Sequence, residues 1–265
     1  MSDAIAQVRS KPPRVRPLDA TLALYRLLRD PQDTRQVFRL TDALRGSSGV
    51  APYQRFRNSA VGAQVIAEQR HLLTALSDHA ALSRLPEGSV GREYLAFMQE
   101  QGLSAEGLVT ISGDALDSLN NREDGAKLFA RRLRDMHDLC HIITGYGRDE
   151  LGEVCVLAFS YPQQKIRSFA VIAPLGALRT TQMLRRAGLP REGAIAAVRE
   201  AYRHGKSAAW LPGEDLEALL AEKLIEARRR LGIVPPAHYD ALMRRIREAT
   251  GHAVGTLSDL VITHH

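Results

Sequence analysis

The segment from Asp124 to Thr144 carries the strongest helical pattern of the chain and reads DGAKLFARRLRDMHDLCHIIT. Its apolar residues recur every three or four positions, which places them in one stripe along a helix. That stripe is formed by Phe129, Leu133, Met136, Cys140 and Ile143. Gly145 interrupts the pattern, and the acidic side chains of Asp149 and Glu150 favour the start of a second helix soon afterwards. The segment therefore predicts a helix–turn–helix.

The rest of the chain is also divided into helical patterns. We predict helices over residues 19–30, 34–44, 59–76 and 94–102, where leucines and other apolar residues recur at helical spacing. Prolines punctuate the second half of the chain at Pro162, Pro174, Pro190, Pro212, Pro235 and Pro236. The sequence has no alternating period-two run flanked by hairpin turns. The predicted fold class is all-α, a single compact multi-helix domain with a helix–turn–helix motif.

We divide the chain into three regions. Residues 1–17 form a flexible basic arm, residues 18–240 the helical domain, and residues 241–265 a C-terminal extension. The arm contains four cations and three prolines but no apolar segment of signal-peptide type. Since the prolines would also break a transit-peptide helix, we expect neither kind of targeting segment.

The composition is that of a globular protein with a modest basic excess. Of 265 residues, 45% are hydrophobic and 25% charged, and the net charge is +6. Nucleic-acid binding has only this charge in its favour, and we expect no nucleic-acid partner. No apolar run reaches the ~18 residues that a transmembrane helix needs. The two cysteines, Cys140 and Cys155, form no CxxC pair and are expected to be small core residues in a reducing compartment.

A candidate metal site lies at the end of the first helix of the helix–turn–helix. His137 and His141 are one helical turn apart, so their side chains project from the same face, and Asp138 lies on the same arc. A short turn could return Glu153, early in the next helix, to the two imidazoles. Two imidazoles with one or two carboxylates suit zinc, manganese or iron. From these residues alone, a hydrogen-bonded or solvated helix face is an equally good interpretation.

Several motifs of the chain resemble the coenzyme Q (ubiquinone) biosynthesis protein 4 family. The spacing His-Asp-x-x-His, then eleven residues, then Glu is that family's metal motif. The stretch LPEGSVGR at residues 85–92 is followed by Tyr94 and then by GLS at 102–104. Together with RRRLGI at 228–233, this is similar to other segments of that family. The resemblance runs from about Leu18 to Tyr239.

The resemblance implies what the protein does. It implies an all-helical, homodimeric protein at the membrane surface, whose partners are prenylated benzoate or quinone intermediates and other ubiquinone biosynthesis enzymes. His137, Asp138, His141 and Glu153 would ligate a divalent ion, with zinc favoured and iron, manganese or cobalt as alternatives. The activity implied is oxidative decarboxylation, in which a hydroxyl replaces the C1 carboxyl, with the four ligands acting through the metal. Without a transit sequence, a bacterial member in the cytoplasm, peripheral to the inner membrane, is expected.

Three questions stay open at this point. Arg134, about one helical turn before His137, could bind the substrate carboxylate, or it could only pair with Asp138.

The protein could also be a non-catalytic lipid-binding scaffold that organises the other enzymes. A metal-dependent phosphohydrolase is a weaker alternative, because it needs a further histidine and a distant aspartate. His71, His79 or Asp78 would have to serve, and no spacing supports that choice.

Overall fold

The computed structural model describes residues 14–29, 34–100 and 124–251, and these form helices joined by short turns. In chain order the α-helices are α1 Pro17–Arg29, α2 Thr34–Leu44, α3 Val50–Arg57, α4 Ala60–Ala67, α5 Leu72–Ser77, α6 His79–Ser83, α7 Val90–Glu100, α8 Asp124–Asp135, α9 His137–Thr144, α10 Glu150–Gln164, α11 Arg167–Arg186, α12 Ala194–Ser207, α13 Leu216–Leu219, α14 Leu224–Leu231 and α15 Ala237–Thr250. In these ranges β pairing is limited to a single bridge between Ser89 and Lys223. The all-α prediction is confirmed.

The centre of the molecule is α10, which packs against α11 on one side and α12 on another. Its contact with α12 is close because Gly205 has no side chain, and a Cβ there would lie 2.0 Å from the carbonyl oxygen of Phe159. Helix α9 packs against both α10 and α7, and α15 covers α12. The fully buried side chains of Leu139, Val156 and Phe159 belong to one continuous hydrophobic core. This packing fixes α9 and α10 side by side.

Two predicted helices are interrupted in the structure. The predicted helix over residues 59–76 is two helices, because α4 ends with Gln69 in the left-handed conformation (φ 50°) and Arg70 N–H donates to the carbonyl of Val65. That closure usually uses glycine, so no residue type at this position predicted it. The predicted helix from Asp124 to Thr144 contains a turn at Met136, but the hydrogen bonds on both sides of this residue persist.

The two ends of the described chain pack against the same body. Helices α1 and α2 form a hairpin on α11, where Thr41 and Ser168 share a hydrogen bond of 2.7 Å. At the other end, α15 runs through the predicted boundary at residue 240, and Leu242 and Ile246 are buried in the main core. The helical domain therefore continues to Thr250. The first 13 residues of the basic arm, the segment around Leu103 and the tail beyond Gly251 lie outside the described residues.

None of the helices in the described ranges is both long and apolar enough to span a membrane.

Candidate metal centre

A tight turn connects α9 to α10 and brings the two helices to one site. Helix α9 ends at Gly145, whose φ of 83° is easily adopted only by glycine, and the Gly145 N–H donates to His141 O. Asp149 then caps α10, since its Oδ1 accepts from the backbone N–H groups of Leu151 and Gly152 at 3.0 and 3.1 Å. The predicted helix–turn–helix is thus present, with its second helix starting at the predicted place.

Gly152 allows the turn to lie directly on the first turn of α10. A Cβ at this position would meet the carbonyl oxygen of Gly147 at 2.0 Å, so any side chain would push the turn away. Glu153 follows immediately, and its backbone N–H donates to Asp149 O. Its carboxylate is therefore held over the histidines of α9 by a contact between two backbone segments.

Three donor atoms converge at the site. His137 Nε2 lies 3.3 Å from Glu153 Oε2, His141 Nε2 lies 3.5 Å from the same oxygen, and the two Nε2 atoms are 3.4 Å apart. Among the described residues, these three side chains form a group that could hold a metal ion, because their donor atoms all lie within 4.8 Å of one another. His141 is fully buried, whereas His137 and Glu153 are partly exposed. The centre therefore lies at the border between the core and the surface.

The separations fit shared coordination of one ion better than direct hydrogen bonding. Donor atoms about 2.0–2.1 Å from a tetrahedral zinc ion lie roughly 3.3–3.4 Å from one another. A charge-assisted hydrogen bond between an imidazole and a carboxylate would instead be about 2.7–2.9 Å long. All three observed distances fall in 3.3–3.5 Å. The donor set is therefore spaced for a small divalent cation.

The orientation of His141 is fixed by the turn. Its Nδ1–H donates to the carbonyl oxygens of Tyr146 and Gly147 at 3.0 and 3.1 Å. In a neutral imidazole this leaves the lone pair on Nε2, which points at Glu153 and His137. The ring also stacks on Phe97, with centroids 5.9 Å apart. The turn thus sets both the tautomer and the direction of this candidate ligand.

Asp138 lies beside this group rather than within it. Its carboxylate oxygens do not belong to the group of three donor atoms, from His137, His141 and Glu153, that lie within 4.8 Å of one another. The side chain is buried, however, and Oδ1 has no hydrogen-bond partner in the described chain. A buried carboxylate oxygen without a partner is costly, and a cation would satisfy it. Asp138 as the fourth ligand stays a prediction that this orphaned oxygen supports.

The charges of the site stabilise one another. Burial lowers the pKa of His137, but the adjoining carboxylate of Glu153 outweighs burial and leaves the pKa raised. Burial likewise raises the pKa of Glu153, and its contacts with His137 and His141 outweigh this and hold the pKa well below its usual range. Burial raises the pKa of Cys140 to about 12, and this thiol is not among the three side chains whose donor atoms converge at the site.

Arg134 was predicted to lie beside the candidate centre, and the structure places a second arginine there. Arg134 donates from Nε to Asp135 Oδ1 at 2.7 Å, so part of its guanidinium is already used by a neighbouring carboxylate. Arg148, in the turn, lies with Nε 3.5 Å from Glu153 Oε1. Sequence reasoning did not single out Arg148; the one available signal was its position in the turn, five residues before Glu153.

The residues of the hydrolase alternative lie elsewhere. Asp78 caps α6 by accepting from Ala81 N–H at 2.8 Å, His71 precedes α5 as its N-cap residue, and His79 is the first residue of α6. None of the three joins a metal-capable group among the described residues.

Tyr239 supports the turn from outside. Its hydroxyl donates to Asp149 Oδ2 and accepts from Gly147 N–H at 3.0 Å. These two hydrogen bonds hold the turn against α15.

Tyr239→Phe should lower the free energy of unfolding by about 1–3 kcal/mol. It should also weaken metal affinity on the order of 10–100-fold, because the Gly147 carbonyl orients His141. Competition with a chromophoric chelator measures the affinity. Tyr202→Phe, which alters a half-exposed tyrosine on α12, is the matched control; equal affinities in the two variants would contradict this role.

Fold and site together define an all-helical protein with a candidate centre of two histidines and a carboxylate. Residues 18–237 match the family model of the coenzyme Q (ubiquinone) biosynthesis protein Coq4. The chain belongs to the Coq4 family, as its motifs had indicated.

Relatives and a solved structure agree with this assignment. The chain is 30% identical over 125 residues to the mitochondrial ubiquinone biosynthesis protein COQ4 homolog of Danio rerio, covering 47% of this chain and 44% of that protein. It is 28% identical over 194 residues to the human homolog, covering 71% and 67%. A crystal structure of a Nostoc punctiforme protein provisionally assigned to ubiquinone biosynthesis has a TM-score of 0.62 at 19% identity, covering 83% of this chain and 99% of that one. This last likeness concerns the fold.

Proposed function

We propose that the protein binds a divalent metal ion and a prenylated aromatic acid, and replaces the C1 carboxyl of that acid with a hydroxyl. The observation that carries the proposal is the convergence of His137, His141 and Glu153 donor atoms at 3.3–3.5 Å. This convergence occurs in a chain of the Coq4 family, at the position of the family's metal motif. The proposal rests on the spacing of the donor atoms and on family membership together.

In this proposal His137, His141 and Glu153 hold the ion, and Asp138 is the fourth ligand. When bound, the ion would polarise a coordinated substrate oxygen, and zinc, which the resemblance favours over iron, manganese or cobalt, would do so without redox chemistry. The turn carbonyls hold His141 in place, so the site needs little rearrangement to bind an ion. Phe97, stacked on His141, offers a flat apolar surface for an aromatic head group.

The proposed reaction needs an oxidant. Replacing an aryl carboxyl by a hydroxyl removes two electrons, and we assign dioxygen as their acceptor. The bond between the ring and the carboxyl carbon breaks, and a bond between the ring and oxygen forms. Aryl carboxylate, water, a proton and dioxygen then give the phenol, carbon dioxide and hydrogen peroxide, which balances atoms and charge.

We also place the protein at a membrane surface, because a prenylated acid resides in lipid. Helix α1 supports this: Leu18 and Tyr25 are 87% and 55% exposed, and Leu22 is exposed on the same side. Arg26 and Arg29 lie in the last turn of the same helix. Cations near an anionic lipid surface contribute ~1 kcal/mol each, so an apolar face with flanking arginines suits the cytoplasmic face of a bacterial inner membrane.

A homodimer and contacts with other ubiquinone biosynthesis enzymes belong to the same proposal. Both rest on the family resemblance. Light scattering of the purified protein, with and without lipid, would measure the oligomeric state directly.

Turnover by the purified protein tests the activity. The metal-loaded chain, a C1-carboxylated prenyl substrate and dioxygen should yield the corresponding phenol and carbon dioxide, both detected by mass spectrometry. A reaction under argon is the control and should yield neither. Tight lipid binding without turnover under dioxygen would favour the scaffold over the enzyme.

A further inference from the structure

Glu153 uses its two carboxylate oxygens in two directions. Oε2 faces His137 Nε2 and His141 Nε2, as described above. Oε1 faces the guanidinium of Arg148, with Nε at 3.5 Å. The candidate metal centre and Arg148 therefore lie at opposite oxygens of a single carboxylate, and Arg148 is close enough for its charge to act on His137.

The guanidinium of Arg148 has unused hydrogen-bonding capacity. Its Nη1 is buried and has no hydrogen-bond partner in the part of the chain that the structure describes. A buried donor without an acceptor costs free energy, so such a group in a native protein calls for an explanation. A bound anion would supply the missing acceptor.

The charges of the site favour a single negative charge in the ligand. The carboxylates of Asp138 and Glu153 would offset a divalent cation. The positive charge of Arg148 would then remain, and an uncompensated charge at a partly buried site is unfavourable. A monoanion neutralises it, whereas a neutral phenol does not. A planar carboxylate also matches the fork of N–H groups that a guanidinium presents.

We propose that Arg148 binds the carboxylate of the aromatic substrate and makes the site selective for acids over the decarboxylated phenols. This inference rests on the proposed function, because it places the carboxylate next to the same metal centre. It assigns to Arg148 the role that sequence reasoning had offered to Arg134, whose Nε is already bonded to Asp135. After the carboxyl is lost, the neutral product no longer pairs with Arg148, which favours its release.

Binding of two matched probes tests this role apart from catalysis. We would measure, by calorimetry without dioxygen, the affinities for a geranylated para-hydroxybenzoate and for the matching geranylated phenol. The intact protein should bind the acid on the order of 10–100-fold more tightly, the range expected for a charge-assisted hydrogen-bonded pair. Arg148→Gln should reduce this preference to about threefold or less, with affinity for the phenol unchanged. Arg148→Lys, which keeps the charge without the fork, should lie between.

Two controls separate binding from support of Glu153. Arg131→Gln removes an exposed cation on α8 and should keep the full preference for the acid. Metal content is measured in every variant; if Arg148→Gln loses its metal, Arg148 acts by positioning Glu153 and the inference is overturned. The inference also fails if Arg148→Gln still prefers the acid as strongly as the unaltered chain does.

The outcomes also distinguish this inference from the proposed function. A preference for the acid that depends on Arg148, in a protein that shows no turnover, would support the binding role and reject the enzymatic activity. Equal affinity of the unaltered protein for acid and phenol, together with turnover of the acid under dioxygen, would reject the binding role and keep the enzymatic activity.

Discussion

Replacing His141 or Glu153 with Ala is expected to abolish metal retention. Each replacement removes one of the three donor atoms that lie 3.3–3.5 Å apart. Loss of a partner that only orients a ligand typically costs 10–100-fold in affinity, so loss of a ligand itself should reduce the metal content of the purified protein from about one ion per chain to below about a tenth. Inductively coupled plasma mass spectrometry measures this content directly.

The same variants should fail to support ubiquinone production while keeping their helices. The side chain of His141 hydrogen-bonds only to the turn and to its fellow candidate ligands among the contacts described, so the core formed by α10, α11 and α12 should persist. Circular dichroism checks the helical content, and quinone levels are measured in cells that depend on the protein. His79→Ala, at an exposed histidine that begins α6, is the control. Normal quinone levels in the Glu153 variant would contradict the assignment of Glu153 to the metal centre.

The sequence predicted the candidate centre because its geometry is local. Two histidines four residues apart on a helix must share a face, and the structure keeps them within 3.4 Å although Met136 interrupts the helical run before them. A short return after Gly145 could bring Glu153 back to the histidines, but the chain has many acids, and the family resemblance was what singled out this one. The closeness of that return depends on the contact between Gly152 and Gly147, which no periodicity reveals.

Features that helical periodicity does not encode were not predictable. The end of α4 at Gln69 uses a left-handed residue other than glycine, and a pattern search had no reason to break the helix there. Arg148 stands out because it lies beside Glu153 and because its Nη1 is buried with no hydrogen-bond partner among the described residues, and both are properties of the assembled site. Arg132 is a stronger case, since an arginine in an amphipathic helix is normally assigned to the solvent side.

Arg132 is held inside the fold by a carboxylate from another helix. The side chain of Arg132 is 1% exposed, and its two terminal nitrogens donate to the carboxylate of Glu217 at 2.7 and 2.8 Å. One of them also donates to the carbonyl oxygen of Glu214 at 3.1 Å, so α8 is joined to the segment that carries α13. Glu217→Ala would leave the guanidinium buried without its counter-charge, and we expect it to lower the free energy of unfolding by about 3–5 kcal/mol.

Chemical denaturation measures that loss, and a double variant identifies its cause. Arg132→Met combined with Glu217→Leu replaces both charges by apolar side chains of similar size, so it should recover most of the stability lost in Glu217→Ala. Arg131→Ala, at the exposed neighbouring position, should change stability by no more than about 0.5 kcal/mol. If the double variant is as unstable as Glu217→Ala, the loss comes from packing around α13 rather than from an unpaired charge. If the double variant recovers its stability, the ion pair of Arg132 and Glu217 is dispensable when both partners are removed together. The role of the pair is then to fix how α8 packs against α13 rather than to add stability.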